Sequence, residues 1–191
     1  MMKTLLTFFI LLFSSSVVAD DISDFEIEGM SVGDSLLDYF SEREIINNTQ
    51  NNQYPKSDKF IISLFVNESF FQIYKTITIK YKKNDNNFII HNISGGIHYN
   101  DNFNNCLNKM TEVEKDLSIL FNKAEKRKGS KKHSYDKSGK SIIHAIEYDL
   151  ELGGTIQIKC TDWSEAINMN DNLSISVATD EFVNFILTEA Y

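Results

Sequence analysis

The spacing of apolar residues along the chain separates predicted strands from predicted helices. Between positions 71 and 82 apolar and polar residues largely alternate, which puts the apolar side chains on one face of a half-buried strand. The apolar positions of that strand are Phe71, Ile73, Ile77, Ile79 and Tyr81. Apolar runs or alternation predict further strands at 60–66, 88–93, 141–150, 155–161 and 173–177.

A longer period predicts the main helix, from Cys106 to Ala124. Its apolar stripe recurs every three or four residues. The stripe consists of Cys106, Met110, Val113, Leu117, Leu120, Phe121 and Ala124. The cations at 126–128 follow, where they complement the dipole of a helix C-terminus, and Gly129 is expected to end the helix.

Capping residues predict shorter helices. Ser31 with Asp34, and Ser41 with Glu44, have the spacing of a capping serine and an acid three positions later. Asp180 can cap a final helix. We therefore expect an α+β fold: an antiparallel sheet of about six strands with one long helix and shorter helices packed on it. Gly95-Gly96 is expected to break the pattern after the strand at 88–93.

The first nineteen residues have the pattern of a secretory signal peptide. Lys3 precedes an apolar run at 5–13, and small residues end at Ala19, so we expect cleavage after Ala19. This leaves one domain, residues 20–191, in a periplasmic or secreted location. The run is shorter than the roughly 20 residues that span a bilayer, and no later segment approaches that length, so we expect no transmembrane segment in the mature chain.

The two cysteines, Cys106 and Cys160, are predicted to form a disulfide. A cysteine pair in an exported chain is more often a bridge than a metal site. Cys106 falls on the apolar stripe of the long helix, and Cys160 falls on the apolar face of the strand at 155–161. The bridge would therefore pin the helix to the sheet.

The net charge of the chain is negative, but one stretch of the sequence is basic. The net charge of −8 disfavours nucleic acid, whose phosphates need a basic surface. Cations nevertheless crowd positions 123–140. The candidate binding residues among them are Lys126, Arg127, Lys128, Lys131 and Lys132. They could bind an anionic partner, such as a phosphorylated lipid surface, an acidic polymer or an acidic protein. The alternative is a solvated loop whose charge offsets the acidic body.

Two short segments resemble catalytic motifs. Gly33-Asp34-Ser35-Leu36 spells the motif of the GDSL esterases, but the chain has no Asp-x-x-His to supply the base that a serine nucleophile needs. Gly139-Lys140-Ser141 resembles the end of a P-loop, but its first glycine is replaced by Ser134 and a strand follows in place of a helix. We interpret the second motif as part of a hairpin turn at 136–139, and we predict no catalytic residues.

The histidines give no firm metal site. His91, His98 and Asp101 could approach one another across Gly95-Gly96, but a strand histidine and a loop histidine are the commoner explanation. His144 stands on an apolar face and is interpreted as a core or sheet-edge residue. No metal and no cofactor is predicted.

One resemblance covers most of the mature chain. The segment at 26–39, EIEGMSVGDSLLDY, resembles one that recurs in exported, periplasmic proteins of AT-rich bacteria. Cys160-Thr161-Asp162-Trp163 and Asp171-Asn172-Leu173 fit the same likeness. The resemblance implies a periplasmic location; no activity is known for that group, so it implies no site.

The sequence therefore favours a non-enzymatic binding or interaction module, exported and held by a disulfide. Its partner is not identified beyond an anionic one at the basic stretch. The alternative is a periplasmic hydrolase whose site is assembled only by the fold.

Overall fold

The structure, a computed structural model, describes residues 21–50, 53–99 and 102–191. The described strands are β1 (Thr49–Gln50), β2 (Phe60–Val66), β3 (Thr76–Lys82), β4 (Asn92–His98), β5 (Glu125–Lys132), β6 (Ile142–Asp149), β7 (Thr155–Asp162) and β8 (Asn172–Ala178). They form one sheet of eight strands in the order β1-β2-β3-β4-β8-β7-β6-β5, and every neighbouring pair is antiparallel.

Three α-helices accompany the sheet in the described ranges. They are α1 (Glu42–Asn47), α2 (Phe103–Leu120) and α3 (Asp180–Thr188). The α+β class is confirmed, but the expectation of about six strands is wrong. The two missed strands, β1 and β5, contain no large apolar residue, so the alternation that reveals the others is absent from them.

One face of the sheet carries the core. The register aligns Ile79, Ile93, Val177, Ile156 and Tyr148 in a row across five strands, and all five are almost fully buried. Removing such apolar surface from water is the main stabilising term of a fold. Helix α2 packs on this face across β7 and β8, beside the segment at 25–45.

The opposite face is polar, and we call it the polar face. One of its rows aligns Thr78, Ser94, Ser176, Gln157 and Glu147. These side chains are only partly buried. At one end of this face α3 packs Phe182 and Phe185 against Phe60 and Ala178, which makes a second, smaller apolar cluster.

The predicted disulfide is confirmed. Cys106 and Cys160 are bonded with an S–S distance of 2.06 Å. Cys106 lies in the first turns of α2 and Cys160 lies in β7, and neither is exposed to solvent. The bridge therefore ties the helix to the sheet, as the apolar patterns indicated.

The predicted break at Gly95-Gly96 is wrong, because both glycines lie inside β4. Glycine is needed there for space. A Cβ on Gly95 would collide with the ring of Tyr74, and one on Gly96 would collide with the hydroxyl of Thr76. The strand predicted at 88–93 is thus displaced to Asn92–His98, and the one predicted at 71–82 begins only at Thr76.

The two predicted caps near the N-terminus differ in outcome. Ser41 and Glu44 form a complete capping box at the start of α1. Ser31 begins no helix; its N–H donates to Asp34 at 2.8 Å, and the next turn is the 3-10 helix Leu36–Asp38. The main helix ends at Leu120, short of the predicted Ala124.

The predicted signal peptide, residues 1–19, and Asp101 lie outside the described residues. No helix in the described ranges is both long enough and apolar enough to cross a membrane.

Candidate functional site

The basic stretch is a strand at the edge of the sheet. The sequence predicted its first residues as the end of a helix and the rest as a loop, and both predictions are wrong: Lys126, Arg127, Lys128, Lys131 and Lys132 all lie in β5. Every residue of β5 pairs in register with β6. All eight residues of β5 are exposed.

Among the described residues, no strand pairs with the outer side of β5. The N–H of His133 donates to Ser141 O at 2.9 Å, and the N–H of Leu150 donates to Gly154 O at 3.0 Å. Because hydrogen-bonded and non-bonded pairs alternate in an antiparallel ladder, the odd-numbered residues of β5 bond to β6. The even-numbered residues therefore direct their N–H and C=O groups away from the sheet. These residues are Lys126, Lys128, Ser130 and Lys132.

Carboxylates neutralise the first half of β5. On the core face, Lys126 and Lys128 both contact Glu114 of α2, at 3.1 and 2.5 Å. Burial, the largest single effect, acts to raise the pKa of Glu114, but the hydrogen bonds and charges of Lys128 and Lys126 together hold it below its usual range. On the polar face, Arg127 pairs with Glu147 at 3.3 Å and with Asp149.

The second half of β5 has no such partner. Within the described residues, no carboxylate lies within ion-pair distance of Lys131 or Lys132. The turn that follows, at 133–140, adds Lys137 and Lys140, which likewise pair with no described carboxylate. A protein of net charge −8 thus concentrates uncompensated positive charge at one end of one strand.

Asp136 fixes the shape of that turn. Its carboxylate accepts hydrogen bonds from the hydroxyl of Ser141 at 2.7 Å, from the N–H of Ser138 at 2.8 Å and from the hydroxyl of Ser164 at 2.8 Å. These donors, that of Ser141 foremost, hold the pKa of Asp136 well below its usual range. These hydrogen bonds engage the carboxylate of Asp136, which forms no ion pair with a described lysine.

A shallow depression lies on the polar face beside β5. Its volume is about 240 Å³. The residues that shape it on this face are Arg127, Gly129, Lys131, Ile143, Ala145 and Glu147. Gly129 leaves the gap, since nothing lies within 4 Å of where its Cβ would be.

Further cations border this depression. Lys159 stands next to Ala145 in the register. Burial and the nearby charge of Lys131 lower the pKa of Lys159. Burial, followed by the charge of Lys159, lowers the pKa of His133, whose ring packs 4.3 Å from that of Trp163. An anion bound here would relieve this mutual repulsion.

The motif of the esterases is structural. The hydroxyl of Ser35 donates to Asn87 O at 2.7 Å and accepts from the N–H of Leu37. Asp34 accepts from the N–H of Ser31 and from the hydroxyl of Tyr39. Gly139-Lys140-Ser141 lies in the turn between β5 and β6, as interpreted from the sequence.

The histidines do not converge. His91 precedes β4 and His98 ends it, so about 23 Å of strand separates them at roughly 3.3 Å per residue. In the described ranges, no group of three or more His, Cys, Asp and Glu side chains is arranged to hold a metal ion. His144 is partly buried on β6, with its Nδ1 2.8 Å from the hydroxyl of Ser130.

The sequence identified the basic residues but not the edge strand on which they lie. The available signal was the turn at 136–139: a tight turn before the strand at 141–150 implies a second strand on its other side. Comparison with known proteins matched this chain to no family model, no curated protein and no solved structure.

Proposed function

We propose that this protein is an exported, non-enzymatic binding module that holds an anionic partner along β5 and the turn at 133–140. The observation that carries the proposal is the uncompensated charge of Lys131, Lys132, Lys137 and Lys140, described above. Side chains that could have supplied catalysis, such as Ser35 and Asp136, are already engaged in hydrogen bonds that shape the chain.

The location outside the cytoplasm is supported by the disulfide. Buried bridges such as Cys106–Cys160 form and persist in oxidising compartments. The apolar run at 5–13 and the resemblance to periplasmic proteins of AT-rich bacteria support the same location.

The test is binding of three anionic probes to the folded protein. The probes are vesicles with phosphatidylglycerol, inorganic polyphosphate and a glutamate-rich peptide, which separate a lipid, a polymer and a protein source. The variant Lys131→Glu with Lys132→Glu should weaken binding of the preferred probe about thirtyfold, because each surface cation contributes about 1 kcal/mol. Binding should also weaken as salt is raised.

A matched variant controls for net charge. Arg43→Glu with Lys75→Glu makes the same change of charge at exposed cations that pair with no described carboxylate. Arg43 lies in α1, which leads into β1, and Lys75 directly precedes β3, so both lie towards the opposite end of the sheet from β5. This variant should leave binding within about twofold of wild type. Equal loss in the two variants, or no binding of any probe by wild type, would remove the proposal.

A further inference from the structure

We infer that the partner is an acidic, extended peptide that pairs with the free edge of β5 and extends the sheet by a further strand. The inference rests on the proposed function and adds the class of partner and the way it binds. Adding a strand to an exposed sheet edge is an established mode of peptide recognition: backbone bonds supply affinity and side-chain pockets supply specificity.

The edge of β5 is built to accept a strand. Its eight residues pair with β6 in one uninterrupted register, without a bulge that would turn the edge away. Lys126, Lys128, Ser130 and Lys132 present N–H and C=O groups outward at every second position, about 7 Å apart. The opposite edge differs, since β1 comprises two residues in the described part of the chain.

Gly129 provides a place for a partner side chain. An added strand would run alongside Gly129, and one of its side chains would lie over the depression between Arg127 and Lys131. Ile143 and Ala145 line the floor, which suits the methylene groups of a glutamate. Its carboxylate would then lie near Lys131, which has no acid partner among the described residues.

Charge decides which strand can be added. Lysines on an edge prevent pairing between two copies of the same strand, because like charges opposite each other are destabilising. The same lysines favour an acidic strand. Since Glu114, Glu147 and Asp149 already neutralise the first half of β5, the acidic residues of the partner should lie beside Lys131 and Lys132.

A proline substitution at one position tests the backbone hydrogen bonds between β5 and the peptide without changing the charge of the protein. Proline is tolerated at an edge position whose N–H faces solvent, so Ser130→Pro should keep the pairing of β5 with β6. Ser130→Ala is the matched control, because both variants lose the hydroxyl contact with His144. The probe is a fluorescein-labelled peptide of about eight alternating glutamate and threonine residues, followed by fluorescence anisotropy.

We expect Ser130→Pro to bind this peptide at least about tenfold more weakly than Ser130→Ala. The same peptide with an N-methyl group on every residue keeps its charge but loses all its backbone N–H donors. It should bind wild type at least about tenfold more weakly. This second comparison needs no variant and stands even if Ser130→Pro unfolds.

The outcomes separate the two proposals. Equal binding of the plain and N-methylated peptides would overturn strand addition. It would leave binding by charge alone, as in the proposed function. A preference for polyphosphate or vesicles over the peptide, with dependence on Lys131 and Lys132, would also overturn strand addition but support the proposed function. No binding of any anionic probe would overturn both.

Discussion

Removing the Cys106–Cys160 disulfide should cost this protein a large part of its stability. The bridge joins residues 54 positions apart. For a loop of that size, the lost entropy of the unfolded chain corresponds to about 4 kcal/mol at 25 °C. Because domains are stable by about 5–15 kcal/mol, the loss is between about a quarter and most of the total stability, and the reduced protein should retain about 1–11 kcal/mol. The expected fall in melting temperature is about 8–16 °C.

The assay is urea unfolding at pH 7, followed by tryptophan fluorescence of Trp163 and by circular dichroism. Both sulfurs are fully buried, so reductant must be added to the unfolded protein before refolding. Cys106→Ala with Cys160→Ala provides an independent route to the unbridged state. It should lose about 1 kcal/mol more than the reduced protein, because two buried sulfur atoms are also removed.

Agreement between the two routes tests the reasoning. If the reduced protein loses less than about 1 kcal/mol, the entropy of the 54-residue loop is not what stabilises the fold. A large loss in the alanine variant alone would assign the effect to packing between α2 and β7. A steeper dependence of the free energy of unfolding on urea concentration, in both the reduced protein and the alanine variant, would show that the bridge also keeps the unfolded chain compact.

Three other perturbations have defined directions. Hydrogen bonds, first that of Ser141, keep the pKa of Asp136 low, so the stability they provide is present above about pH 4 and is lost as pH falls. Asp136→Asn should therefore lower the urea midpoint at pH 7 and do so less at pH 3. Glu28 accepts the N–H groups of residues 72–74 at 2.7–2.9 Å, so Glu28→Ala should cost about 2 kcal/mol and abolish protection of those amides from hydrogen exchange. Burial, then the charge of Lys159, lowers the pKa of Lys80 to about 7, so wild type should gain stability as pH rises from about 7 towards 10. Lys80→Met should exceed wild type in stability at pH 6 and match it near pH 10, whereas an equal difference at both would exclude this titration.

Much of the sheet could be predicted because its core strands carry their own signal. In β3, β7 and β8 every second residue is buried, and that alternation is visible in the sequence. The disulfide followed from the same patterns, since each cysteine falls on an apolar face. The capping box of Ser41 and Glu44 is equally local and was also predictable.

The rest depends on contacts between distant parts of the chain. Glu28 binds backbone groups more than forty positions away, and no spacing rule points to them. The interior of β4 contains two glycines, which ordinarily weaken a strand, and only the rings and hydroxyls packed over them show why glycine is required. The basic residues of the candidate site were predictable from the sequence, but their arrangement along an edge strand was not.

Strand β5 shows how a sequence without apolar residues can still form a strand. Its partner β6 supplies the register, and ion pairs on both faces hold it: Glu114 binds from α2, and Glu147 and Asp149 bind from β6. The disulfide fixes α2 over β7, and thereby places Glu114 beside the first lysines of β5 and not the last. The uneven charge of the edge is thus a consequence of where the helix is pinned. A partner that needs free cations must therefore bind at the end of β5 that carries Lys131 and Lys132.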